Sequence, residues 1–125
     1  AHQRLRDRKV RMKPAIEIAS LPKNCNEALI LGILARGDRH GYQIALELEE
    51  TSGGVFSFNH GTLYPILHKL EHDGLIRGLW EDGDSGRKRK FYTITAKGKE
   101  YLAAQREGLR TFFSALLSVI GDGMA

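Results

Sequence analysis

Four consecutive cations, Arg87-Lys88-Arg89-Lys90, form the densest block of one charge in this sequence of 125 residues. Adjacent like charges repel unless an anion meets them, so Arg87, Lys88 and Arg89 read as a phosphate contact of high salt dependence. Arg87, directly after Gly86, also suits insertion into a minor groove. The plainer alternative is a solvated turn balanced by Glu81, Asp82 and Asp84. A second group, Asn59, His60, Thr62, Tyr64, His68 and Lys69, lies within one short stretch. Hydroxyls near a helix N-terminus suit phosphate or base-edge contacts, and amide or imidazole groups just before it can donate to bases. Tyr42 suits either a phosphate contact or a half-buried structural place. His68 and His72 have the i, i+4 spacing of a metal pair. A stable site needs further ligands, and the single cysteine, Cys25, is remote in sequence. No metal and no cofactor are therefore expected. A glycine-rich phosphate loop, a nucleophile elbow and a triad spacing are all missing, which argues against an enzyme.

The elements that must hold these groups follow from periodicity. Pro22 opens a helix that carries Ala28, Leu29, Leu31, Ile33 and Leu34 to about Arg36, and Gly37-Asp38 stops it. It is apolar around more than half its circumference, which predicts burial on more than one side. Gly41-Tyr42 opens a second helix with Ile44, Ala45 and Leu48 on one face, ended by Gly53-Gly54. Val55 to Phe58 reads as a strand of about four residues. The third helix runs from about Asn59 to Asp73, with Leu63, Ile66, Leu67 and Leu70 at i, i+3, i+4, i+7. Thr62, Tyr64, His68, Lys69 and His72 lie off that stripe. Pro65 predicts that the regular helix begins near Thr62, with Thr62 as N-cap. Leu75–Glu81 and Arg89–Thr95 form a hairpin around Asp82-Gly83-Asp84-Ser85-Gly86. Trp80 in its first strand is read as core or wing packing. Thr95 caps a last helix from Ala96 to about Ile120, roughly 37 Å long. Leu102, Leu109 and Leu116 recur every seven residues, and Phe112, Phe113, Val119 and Ile120 broaden the stripe. Such a face predicts packing beyond the chain's own small domain.

Charge is distributed unevenly. The formal net charge is +4 and the isoelectric point is about 9.4, a weak nucleic-acid footprint. Residues 1–23 hold seven basic and two acidic residues, whereas 24–125 hold twelve and thirteen. The body is thus nearly neutral, and its own positive charge is focused at 87–90. The basic segment reads as an exposed arm or an expression remnant, or as an arm reaching along DNA. Met12 can serve as a start, which would make residues 1–11 foreign to the fold. One cysteine excludes an intrachain disulfide framework. The strongly apolar run Ala28–Ala35 is far short of the roughly 20 residues of a spanning helix, and no secretory signal is visible. The chain reads as cytoplasmic, with no membrane partner.

Helix, helix, strand, helix, hairpin and long helix is the order of a winged helix-turn-helix: mostly α, with a small β-hairpin wing and a long C-terminal helix. Residues 22–95 would form the DNA-binding domain, 1–21 the arm, and 96–125 the dimerisation helix and tail.

The residues also resemble a known family. Leu31-Gly32-Ile33-Leu34 with His40-Gly41-Tyr42-Gln43-Ile44, then Gly61-Thr62-Leu63-Tyr64-Pro65-Ile66-Leu67-His68-Lys69-Leu70-Glu71 with Asp73-Gly74-Leu75-Ile76, are similar to the PadR family of transcriptional regulators. So are Trp80, Gly86-Arg87-Lys88-Arg89-Lys90-Phe91-Tyr92 and Ile94-Thr95-Ala96-Lys97-Gly98. The resemblance covers about residues 24–120. It implies a homodimeric repressor on a palindromic operator of double-stranded DNA, and in some members release by a small aromatic or drug-like effector. It also implies that the last helix dimerises against the partner's first helix, through Leu29, Ile33, Leu102, Leu109, Phe112, Phe113, Leu116 and Ile120. With one helix after the wing, the chain is similar to the small subfamily. Two other readings stay open: a winged-helix metal or redox sensor, and a protein-interaction module that no longer binds DNA.

Overall fold

The computed structural model describes residues 16–17, 21–83 and 86–121. In chain order these hold β1 (Ile16–Glu17), α1 (Lys23–Leu34), β2 (Arg39–His40), α2 (Gly41–Thr51), β3 (Phe56–Ser57), α3 (His60–His72), β4 (Ile76–Asp82), β5 (Lys88–Ile94) and α4 (Ala96–Ile120). The rest of the basic arm, including Met12, and the turn residues Asp84 and Ser85 lie outside the described residues.

The apolar spacings converge on one core. Ile30, Leu31, Ile33 and Leu34 of α1 meet Ile44 and Leu48 of α2, Leu63, Leu67 and Leu70 of α3, and Ile76 and Tyr92 of the hairpin. Leu102 of α4 closes it from one end. Burying each such side chain stabilises the fold by roughly 2 kcal/mol. The i, i+3, i+4, i+7 stripe of α3 is thereby used inward, and the residues off that stripe are left for the surface.

Helix α3 begins earlier than the proline suggests. Asn59 is the N-cap, and its side-chain oxygen accepts from the Gly61 N–H at 2.8 Å. The expected cap, Thr62, lies inside the helix. Pro65 also lies inside it. Both Pro65 and Gly61 are exposed, so the Gly61 carbonyl that loses its intrahelical donor can turn to water. The helix ends on Gly74, whose φ of +77° is in the left-handed region that favours glycine. The Leu75 N–H reaches the Leu70 carbonyl at 2.9 Å and the Gly74 N–H reaches that of Glu71 at 3.0 Å. This paired closure turns the chain directly into β4, with Leu75 buried beside Leu70.

The wing is a sheet of three strands, ordered β2-β5-β4, with both pairings antiparallel. Glu81 stands opposite Arg89 and Asp82 opposite Lys88. The sequence reading has the hairpin but lacks β2. That strand is two residues between two glycine-marked breaks, too short to show a period. The strand expected over Val55–Phe58 is only Phe56–Ser57, and it pairs in parallel with Ile16–Glu17.

Thr95 caps α4 as expected, accepting from the Gly98 N–H at 3.0 Å while donating to the Gly74 carbonyl at 2.8 Å. Gly98 lies so close beneath β4 that a Cβ there would run into the Leu75 carbonyl oxygen. One turn on, the Tyr101 hydroxyl donates to Glu27 of α1 at 2.6 Å. Glu27 is 5% exposed, so this bond satisfies a carboxylate with little access to water. From Thr111 onward every residue of α4 is exposed. Among the described residues, no helix is long and apolar enough to cross a membrane.

The Tyr101–Glu27 bond generates a pH-dependent expectation. Hydrogen bonding to Glu27, then burial, pushes the Tyr101 hydroxyl from 10.0 up to about 12. A group whose pKa is raised on folding contributes stability that is complete below its unfolded value and is lost above it. The stability advantage of the wild type over Tyr101→Phe should hold constant up to about pH 10 and vanish toward pH 12. Urea denaturation of both proteins across that range checks it; a difference that does not change with pH would contradict the bond's role.

Candidate nucleic-acid interface

Three elements place polar and basic groups at one surface of the domain: the start of α2, the exposed side of α3, and β5 of the wing. Tyr42, in the first turn of α2, is 50% exposed, and Tyr64, in α3, is 36% exposed. Both line a cavity that β5 completes with Arg89 and Lys90. Gly41 permits this approach, because a Cβ there would lie 2.6 Å from the Tyr64 hydroxyl oxygen. Tyr42, Tyr64 and Arg89, far apart in sequence, are therefore brought together.

The other residues singled out from the sequence have different surroundings. Asn59 is occupied as the cap of α3. His60 opens α3, and its side chain lies outside the described residues. Thr62 is half-buried, and His68 is exposed. Lys69 pairs with Asp73 one turn on at 2.7 Å, an exposed i, i+4 pair that solvent screens. That bond keeps the Lys69 ammonium charged to higher pH than usual and holds the Asp73 carboxyl below its usual range. On the wing, Arg87 is exposed after Gly86, and Lys88 pairs with Asp82 at 3.3 Å. Arg89 is set differently: its Nη2 lies 2.9 Å from His40 Nε2, not on a carboxylate.

The contacts that fix the wing to the helices were not legible in the sequence. Glu71 of α3 takes the Lys90 ammonium at 3.1 Å with one oxygen and the Gly78 N–H at 3.3 Å with the other. His40 Nδ1 lies 3.3 Å from the Lys90 carbonyl. Glu47 of α2 holds Arg39 at 2.6 Å and Arg36 at 3.0 Å, and the hydrogen bonds from Arg39 and then Arg36 hold its carboxyl below the usual range. The available signal was an acid just off the α3 stripe, which looks like any solvated position. Trp80, expected in packing, is 63% exposed, with the Lys90 ammonium 5.5 Å from its ring centre.

The residues read as dimer contacts divide into two groups. Ile33 and Leu102 are 4% and 6% exposed. They are committed to the chain's own core and leave almost nothing for a partner, which corrects their assignment. Phe112, Phe113, Leu116 and Ile120 are 40–66% exposed. Leu29 and Leu109 line an apolar cavity of about 360 Å³ between α1 and α4, with Cys25, Phe56 and Phe113. Burial raises the Cys25 thiol above its ordinary range, so it is the less reactive neutral form. His68 and His72 find no third ligand: no group of three His, Cys, Asp or Glu able to hold a metal occurs among the described residues.

A helix-turn-helix followed by a three-stranded wing defines a winged-helix protein. The description "Transcriptional regulator PadR-like family" matches residues 30–104, more than half of the chain, and the chain belongs to that family. It is similar to the negative transcriptional regulator PadR of Bacillus subtilis, 36% identical over 73 residues, 58% of this chain and 40% of that protein. It thus spans about two fifths of that relative's length. A PadR family transcription regulator from Clostridium difficile has the same fold at a TM-score of 0.66 and 29% identity, over 76% of this chain and 97% of that one. The Bacillus subtilis PadR solved in complex with operator DNA superposes at a TM-score of 0.58 with 33% identity, over 62% of this chain and 44% of that one.

The two-pronged Glu71 contact yields a local expectation. Glu71→Ala should lower global stability by no more than about 1 kcal/mol, because both partners are partly solvated. It should accelerate hydrogen exchange at the Gly78 amide well beyond that of the α3 core amides, as measured by NMR. Unchanged exchange at Gly78 would remove Glu71 as an anchor of the wing.

Proposed function

We propose that this protein is a dimeric transcriptional regulator that represses by holding a palindromic operator. Helix α3 enters the major groove, and the β4–β5 wing lies on the flanking backbone. The observation that carries the reading is the meeting of Tyr42, Tyr64 and Arg89 at one cavity, beside the exposed cations of the wing. Apolar burial fixes the α3 stripe inward, so the opposite side of that helix is what a groove can meet. The similar Bacillus subtilis PadR, solved in complex with operator DNA, supports DNA as the partner. The protein needs no cofactor and catalyses no reaction.

The dimer reading rests on α4. Its last ten residues are exposed, and Val119 is 85% exposed beside Phe112, Leu116 and Ile120. A second copy covering that face would remove a large apolar surface from water. It would also set the distance between two α3 helices, which need about 34 Å to reach successive turns of one groove. A small aromatic effector that favours another angle between the copies would release DNA by shifting the population.

Fluorescence anisotropy with the gene's own upstream duplex and a scrambled duplex, at two salt concentrations, tests the DNA reading. Wild type should prefer the upstream duplex. The Arg87→Ala/Lys88→Ala/Arg89→Ala variant should lose binding and lower the slope of log affinity against log salt by about 2–3. Equal binding by variant and wild type would refute the role of the wing. For the dimer, Leu116→Glu/Val119→Glu should sediment as a folded monomer where wild type sediments as a dimer; a monomeric wild type would refute the two-helix spacing.

A further inference from the structure

His40 sits where only one of its protonation states fits its neighbours. It belongs to β2 and immediately precedes α2, and its side chain is 14% exposed. The Tyr42 ring stacks on the imidazole, 6.2 Å between centres and 10° between planes. The Phe91 ring meets it edge-on at 5.9 Å. Nδ1 lies 3.3 Å from the Lys90 carbonyl. A carbonyl only accepts, so Nδ1 carries a hydrogen. Nε2 lies 2.9 Å from Arg89 Nη2. A guanidinium only donates, so Nε2 is bare. Two independent neighbours, at different ring atoms, thus define the same neutral tautomer.

A carboxylate lies beside the same atom. Glu81 Oε1 is 3.5 Å from Nε2. Glu81 stands opposite Arg89 across the β4–β5 pair, and both side chains are exposed. The other charged or titratable groups around the imidazole are Lys90 and Tyr92 of β5, Tyr42 of α2, Tyr64 of α3, Arg39 of β2 and Asp38 before it. Lys90 and Arg39 are already paired, with Glu71 and Glu47. A proton arriving at Nε2 would remove the acceptor of Arg89 and set two like charges 2.9 Å apart. The same new N–H would offer Glu81 a donor. The ring is held between Tyr42 and Phe91, so the exposed Arg89 and Glu81 are the groups free to move.

We propose that His40 is a proton-operated latch on the wing. The neutral imidazole holds Arg89 beside Tyr42 and Tyr64; the imidazolium takes Glu81 and expels Arg89 from that place. The latch rests on the DNA reading for its consequence and supplies a regulation of the same face. Histidine is the side chain whose ordinary charge change falls between pH 5 and 8. On acidification the protein loses a pre-placed arginine, while Glu81 balances the new imidazolium charge, so His40 lowers duplex affinity. A histidine that meets phosphate directly acts with the opposite sign, because added positive charge strengthens binding. His68 and His72, exposed on α3, act in that ordinary sense. The latch is therefore read as a difference between wild type and a variant that lacks His40 alone.

The test uses the full chain and the gene's own upstream duplex. His40→Gln keeps an amide oxygen to accept from Arg89 and removes the titrating proton. In wild type without DNA, the His40 ring and the Arg89 side chain should titrate with one midpoint by NMR. Glu81→Gln, on the exposed wing, should move that midpoint to lower pH, because the imidazolium loses its partner. Between pH 8 and pH 5, wild type should lose about tenfold more duplex affinity than His40→Gln, the effect of one hydrogen bond to a charged group. Should His40→Gln not fold, Glu81→Gln carries both readings, and the fall in affinity should move with the midpoint. Arg89 resonances that ignore the His40 titration, or the same pH dependence of duplex affinity in wild type and His40→Gln, would overturn the latch. A wild type that binds no duplex at pH 8 would refute the DNA reading, whereas a shared midpoint of His40 and Arg89 would still uphold the latch itself.

Discussion

Two residues, Arg39 and His40, decide whether the hairpin is a wing. Laid against Tyr92 and Phe91, they add a third strand to β4 and β5 and join that sheet to the first turn of α2. A lone two-stranded hairpin is marginal in water, and its cations would sample many positions. Held by β2 on one edge and by Glu71 on the other strand, the hairpin keeps a fixed offset from α3. The register then places Arg89 near His40. A groove-binding helix and a backbone-binding strand are useful together only if their separation is constant. That constancy comes from about two residues of strand pairing and one carboxylate.

The legible part of this architecture is the part governed by periodic burial. The stripes of α1, α2 and α3 and the heptad recurrence of α4 are written in apolar spacing, and the helices follow it. The turn glycines mark the breaks, and Thr95 caps where a hydroxyl precedes an apolar helix. What stayed hidden depends on pairs distant in sequence. Strand β2 has no period of its own, because its partner lies fifty residues on. Glu71, Glu47 and His40 look like solvated residues until the fold brings cations or carbonyls to them. Asn59 as cap in place of Thr62 shows a local competition: the capping bond to Gly61 outweighs the lost donor at Pro65, because that end of the helix is exposed. Ile33 and Leu102 carry a similar lesson. A broad apolar face predicts burial without saying which of its residues the chain buries for itself.

The candidate interface was legible in residue type more than in arrangement. The run at 87–90 and the hydroxyls at 62 and 64 stand out by residue type alone as candidates for anion contact. That Tyr64, Arg89 and Lys90 line one cavity with Tyr42 and the buried Tyr92 requires the sheet register. Charge explains why the arrangement matters. Outside the N-terminal segment the chain is nearly neutral, so no broad field draws a polyanion to it. Several surface cations already have carboxylate partners: Lys69 with Asp73, Lys88 with Asp82, Lys90 with Glu71. Arg89, held by an imidazole, keeps its charge available in a way those lysines do not.

The same economy governs α4. Its first two turns are committed to the protomer through Gly98, Tyr101 and Leu102, whereas its last ten residues are all exposed, Phe113 alone of them lining the cavity beside Leu29. Rigid attachment at one end and an uncovered apolar face at the other make the helix a lever whose angle is set at the Tyr101–Glu27 bond. A change of angle at the far end, where α1 and α4 enclose the cavity beside Leu29 and Phe113, would be carried to that bond and from it to α1. Because α1 packs directly on α2 and α3, such a change would reach the elements that carry Tyr42 and Tyr64. The close-packed core transmits displacement instead of absorbing it, so an effect on α4 and an effect on the face that carries Tyr42 and Tyr64 need no contact between the two regions beyond the core they share.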